Sequence, residues 1–148
     1  MKLVGYDMSL ITKKFKKNLS TIFEKYPSIR SAYLFGSRAQ GADHESSDVD
    51  IAIRLTDNIS PDASFNIRMQ LMNDLEDYFS KNVDIVLLNT ASLKLIHQVL
   101  RTKQIIFGKD PVEEMDYAIQ KQKEYFDFKY YINKDIQESR KYFQEDHV

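Results

Sequence analysis

The chain has 148 residues, a formal net charge of −1, 29% charged residues and no cysteine. That length suits one domain around a single core, and the near-zero charge supplies no global basic field for direct nucleic-acid binding. Without cysteine there are no disulfides, no thiol catalysis and no cysteine-based zinc sites. No apolar run approaches the roughly 20 residues of a membrane span and the N-terminus lacks a signal-peptide pattern, so a soluble cytoplasmic protein with no membrane partner is expected.

Ser9 to Tyr26 predicts an amphipathic helix, with Ile11, Phe15, Leu19, Ile22, Phe23 and Tyr26 at helical spacing and Pro27 as its stop. Its other side carries Lys13, Lys14, Lys16 and Lys17, read as a solvated face ahead of a phosphate-steering patch. Ala32 to Phe35 predicts a short strand that Gly36 ends in a tight turn. Ten polar, glycine-containing residues separate Ser37 from Asp48-Val49-Asp50, which leads into a second strand, Val49 to Ile53. On a strand, side chains two apart point the same way. Asp48 and Asp50 therefore share one face, while Val49, Ile51 and Ile53 share the other.

Two carboxylates on one face repel unless a cation sits between them. Magnesium is usually held by one or two carboxylates together with substrate phosphates, so the pair suggests a nucleoside triphosphate. A glycine-serine turn followed by a helical turn at Arg38 to Gln40 would aim backbone N–H groups and a positive dipole end at those phosphates. The Ser37 hydroxyl adds a donor. Taken singly, Gly-Ser fits an ordinary turn, and Asp-x-Asp fits a solvated strand edge or an Asx turn. It is their combination that points to chemistry.

Gly36-Ser37, ten intervening residues and Asp48-x-Asp50 resemble the signature of the polymerase-beta-type nucleotidyltransferase superfamily, and within it the minimal nucleotidyltransferase (MNT) branch. The resemblance implies that Gly36 and Ser37 bind the triphosphate of ATP, that Asp48 and Asp50 hold Mg2+, and that a third carboxylate stands on a neighbouring strand. Asp84, in Asn82-Val83-Asp84-Ile85-Val86-Leu87, is the candidate for that third catalytic and metal-binding acid. A charge in such an apolar run is costly to bury without a partner. Arg38 is a candidate phosphate contact that could equally face solvent.

Farther along, Ser60-Pro61 reads as an N-cap followed by proline at the first helical position. That helix is expected to run to about Ser80 with Phe65, Met69, Met72, Leu75 and Phe79 as its buried stripe. Val83 to Leu88 predicts a third strand, Ser92 to Arg101 a shorter helix, and Gln104 to Phe107 an edge strand ended by Gly108. His97 reads as a packing residue, and neither His44 nor His147 has a partner at metal-ligand spacing. The order predicts an α/β (α+β) fold, a small mixed β-sheet flanked by helices with the nucleotidyltransferase fold over residues 1–108. From Pro111 to about Glu145 a long helical segment follows, within a C-terminal extension over 109–148 that packs on the domain or on a partner. Val112, Met115, Ile119, Phe126, Ile132 and Ile136 can form one stripe. Tyr117, Tyr125, Phe128, Tyr130, Tyr131, Tyr142 and Phe143 cannot all join it, which suggests a second covered surface and a homo- or hetero-oligomer through this helix.

Larger relatives in the superfamily add domains that hold the acceptor, and this chain has no room for one. The resemblance therefore implies an acceptor on another macromolecule, since similar minimal proteins are commonly antitoxins paired with a HEPN-domain ribonuclease toxin. The leading expectation is a magnesium-dependent protein adenylyltransferase that moves AMP from ATP to a tyrosine of such a toxin. Two alternatives are an antitoxin that acts by binding and occlusion alone, and a small-molecule nucleotidyltransferase of the antibiotic-modifying type.

Overall fold

Four apolar stretches of four to seven residues, each closed by a turn, become strands, and four longer segments become helices. The computed structural model describes residues 13–36, 48–102 and 104–146. In order these are α1 (Lys13–Phe23), β1 (Ile29–Phe35), β2 (Val49–Leu55), α2 (Pro61–Phe79), β3 (Val83–Leu87), α3 (Leu93–Arg101), β4 (Ile105–Gly108) and α4 (Pro111–Asp146). The sheet is mixed, with strand order β3-β2-β1-β4. β1 runs antiparallel to both β2 and β4, whereas β2 and β3 are parallel because α2 carries the chain back between them. The expected α/β architecture and the edge position of β4 are both observed.

The helix signals act locally as expected. Ser60 caps α2 by accepting a hydrogen bond from the Ala63 N–H at 3.1 Å, with Pro61 next to it. Ser92 caps α3 in the same way through the Leu95 N–H. At the other end of α2, Ser80 adopts a left-handed conformation with φ 55° while its N–H donates to the Glu76 carbonyl. A residue with a side chain pays for that conformation, so Ser80→Gly is expected to stabilise the fold by about 1 kcal/mol in urea unfolding. An unchanged midpoint would mean that serine tolerates the position without strain.

The sheet buries both faces. On one, Leu19 and Phe23 of α1 and Leu71, Leu75 and Phe79 of α2 pack on Val49, Ile51, Ile53 and their cross-strand neighbours. On the other, Ile96 and Val99 of α3 cover Tyr33, Ala52 and Leu88. The alternation expected for β2 is present, with Val49, Ile51 and Ile53 wholly buried and Asp50 on the opposite side. Ile22 and Tyr26 pack on the core as expected, but α1 ends at Phe23 and Tyr26 follows in the turn, while the predicted beginning of that helix, including Ser9 and Ile11, lies outside the described residues. Lys17 is exposed, in keeping with a solvated face.

Two expected stripes need correction. In α2, Leu75 and Phe79 are buried and Met72 packs on the core as expected, whereas Phe65 is 58% and Met69 40% exposed, and Leu71 with Ile67 beside it completes the buried line. In α4 the correction is larger, because Val112, Met115, Ile119, Phe126, Ile132 and Ile136 are all exposed. The body is met instead by Glu114, Tyr117 and Tyr125, and His97 of α3 stacks flat on Tyr125 with ring centroids 3.9 Å apart. His97 is thus a packing residue. Among the described residues no helix is long and apolar enough to cross a membrane.

Candidate active site

Gly36 ends β1, and the register sets the end of that strand, at Phe35, opposite Asp50 of β2. Gly36 has φ +79°, a conformation that suits glycine. Its bare α-carbon also rests against the Asp50 carboxylate: a Cβ there would sit 3.1 Å from Asp50 Cγ and closer still to an oxygen. The turn therefore cradles the carboxylate through the lack of a side chain. Across the sheet, the parallel register pairs Asp50 with Asp84. The third strand does bring its acid beside the second, as the sequence led one to expect. Asp48 precedes β2 by one residue, exposed, and strand alternation puts it on the Asp50 side.

Asp84, expected as a charge inside an apolar run, is not buried. β3 is an edge strand, and while Val83 and Ile85 enter the core, the Asp84 side chain is exposed. No desolvation cost arises there, because edge placement leaves one strand face open to water. Ser37, Arg38 and His44 lie outside the described residues. Among the described residues no three His, Cys, Asp or Glu side chains close into a finished metal cluster. What remains is a row of carboxylates on neighbouring backbones, open at one sheet end beside a positive-φ glycine. Such a row fits a hard cation that takes its other ligands from substrate phosphates.

The model of the polymerase-beta nucleotidyltransferase family matches residues 17–112. That span includes every one of the residues just described. The chain belongs to this nucleotidyltransferase family. It is 30% identical over 99 residues to the protein adenylyltransferase MntA of Shewanella oneidensis, with 67% of this chain and 68% of the relative covered. A crystal structure of a toxin–antitoxin with AMP-PNP contains a chain of the same fold, at TM-score 0.65 and 26% identity, covering 84% of this chain and 98% of that one. A crystal structure of a MntA toxin–antitoxin mutant also shares the fold, with a TM-score of 0.67, 24% identity and the same coverage.

One polar cluster of this nucleotidyltransferase is not apparent from the motif. Arg54 lies four residues beyond Asp50 on the same face of β2 and binds Glu114 and Glu113 at the start of α4, the latter at 3.2 Å. Glu113 also binds Arg30, and Tyr33 donates its hydroxyl to Glu114. Burial, and then the Glu114 carboxylate, push the Tyr33 phenol far above its ordinary range, so it remains a donor. Burial likewise pushes Tyr117 up to about 12, against the opposing pull of Arg54, which stands 4.8 Å from its ring centroid. A cavity of about 620 Å³ opens beside this cluster, lined by Arg54, Asn89, Glu113 and Tyr117 among others. It lies toward the opposite end of β2 from the aspartates. The signal that could have revealed the cluster is Arg54 itself, a cation four residues from the nearest acid of its strand and requiring an acid from elsewhere.

Proposed function

We propose that this chain is a magnesium-dependent protein adenylyltransferase of the antitoxin type, which moves AMP from ATP to a tyrosine of a HEPN-domain ribonuclease toxin and so silences it. The observation that carries the reading is the in-register pair Asp50 and Asp84, with the side-chain-free face of Gly36 against Asp50. Its likeness to a protein adenylyltransferase, and to the fold in a toxin–antitoxin complex that holds an ATP analogue, supports the choice of nucleotide and acceptor.

Asp48 and Asp50 would hold the cation, and Gly36 with Ser37 and Arg38 would receive the triphosphate. Bound magnesium supplies neutralisation of phosphate charge and a lower pKa for a hydroxyl beside it. The acceptor phenol oxygen attacks the α-phosphorus in line. A tyrosyl O–P bond forms, the bond to the β-phosphate oxygen breaks, and pyrophosphate leaves with its electron pair. The phenol proton passes to the Asp84 carboxylate, acting as general base. Exposure of Asp84 on an edge strand suits this role, since the acceptor is the side chain of a second macromolecule and has to approach from outside.

The test is intact-mass spectrometry of the chain mixed with ATP, magnesium and a HEPN-domain toxin. The partner is expected to gain one or more AMP units, and Asp50→Asn to lower the rate by roughly 100-fold or more. Wild-type transfer by a folded Asp50→Asn variant would sink the assignment of the site. A stable complex with no mass gain would leave an antitoxin that works by occlusion.

A further inference from the structure

α4 spans 36 residues, about 54 Å, and carries one stripe along its whole length at spacings of three and four. Glu114, Tyr117, Lys121 and Tyr125 form its first half, and of these Glu114, Tyr117 and Tyr125 meet the body. Phe128, Ile132, Ile136, the small polar Ser139 and Phe143 continue it, and every residue from 126 to 145 is exposed. In proteins a helix takes most of its stability from packing an amphipathic face rather than from its own backbone bonds. One that presents two phenylalanines and two isoleucines on a single side needs a cover.

Its flanks argue for what that cover is. On helical geometry Lys129 and Arg140 border the stripe on one side, and Tyr131, Asp135, Glu138 and Tyr142 on the other. A second copy fits poorly in either direction. A parallel pair would drive two bodies into the same place, because the body already sits on the first half of the stripe. An antiparallel pair that stacks Phe128 on Phe143 brings like flanks together and sets Lys129 of one copy near Arg140 of the other, twice per dimer. A different chain escapes both conflicts.

We propose that the second half of α4 is the docking surface for an apolar helical face of the HEPN-domain toxin, with carboxylates on that face opposite Lys129 and Arg140. This rests on the partner assigned above, but not on AMP transfer. The bare half begins where the body ends, so the toxin would extend the interface that α3 starts at Tyr125. Pairing by helix-in-groove contacts puts the binding free energy in the few central apolar anchors.

The experiment uses the full chain and the HEPN-domain toxin whose AMP gain is tested above, with affinity, AMP transfer, light scattering and thermal unfolding read on the same samples. Ile132→Asp/Ile136→Asp is expected to raise Kd by roughly 30-fold or more with an unchanged melting temperature. Lys134→Ala, on the far side of the helix, should stay within about twofold. Wild-type affinity in the folded double variant overturns the proposal. So does a free chain that is dimeric in light scattering and becomes monomeric in that variant, which would make a second copy the occupant. A tight wild-type complex that the double variant weakens, but in which no AMP is transferred, upholds the docking surface while defeating the transferase reading. A wild-type chain that binds no toxin overturns the docking surface outright.

Discussion

Gly36→Ala is expected to lower AMP transfer by about 100-fold or more while leaving the protein folded. The new methyl group meets the Asp50 carboxylate directly, and the turn must also hold an alanine at φ +79°. Left-handed backbone in a residue with a Cβ costs about 1–2 kcal/mol, which a domain of this size survives. The carboxylate cannot stay where it is, however, and catalytic geometry tolerates little displacement: about 1 Å is enough for the expected loss. Single-turnover transfer assays beside thermal unfolding separate the two effects. Near-normal transfer in a folded variant would show that Asp50 does not depend on this contact for its position.

Glu114→Ala is expected to be the most destabilising single change away from the motif. Glu114 is 6% exposed and binds Arg54, whose side chain is itself only 12% exposed, and it also accepts from the Tyr33 hydroxyl. Removing it leaves the Arg54 guanidinium with Glu113 alone and takes the acceptor from the Tyr33 phenol. Breaking a buried pair from one side costs about 3–5 kcal/mol, and at roughly 2–4 °C per kcal/mol the melting temperature should fall by about 10 °C. Replacing both partners, Arg54→Met with Glu114→Leu, should recover most of the loss, since no charge is then left unpaired. A fall of only a degree or two in Glu114→Ala would mean that water or Glu113 satisfies Arg54 instead. Because the cluster ties the start of α4 to the sheet face that bears the aspartates, the same variant tests whether helix placement matters to transfer.

Much of the site was legible because its signals are local. A glycine ending an aromatic-rich strand, two aspartates two residues apart, and a lone acid in Val83 to Leu87 can each be read from neighbours in sequence. Alternation then dictates which residues share a face, and β2 obeys it residue by residue. The caps at Ser60 and Ser92 are local for the same reason, since each hydroxyl reaches an N–H three residues ahead.

Three features depended on which elements met in space. Periodicity marks Asp84 as the odd residue in β3, but only the strand order reveals that β3 is an edge and that the acid faces water. Arg54 needed two glutamates some sixty residues away, a distance over which one sequence carries no pairing signal. In α4, apolar residues at helical spacing predicted the buried side, yet Val112, Met115 and Ile119 point outward and Glu114 points in. The sequence by itself determined the elements, their caps and the acids at the site, because those rest on contacts a few residues long. Only the tertiary structure decided which face of α4 met the body. There the buried cation of Arg54 required Glu114, and an unpaired charge in the interior outweighs the burial of a few apolar side chains on the other face.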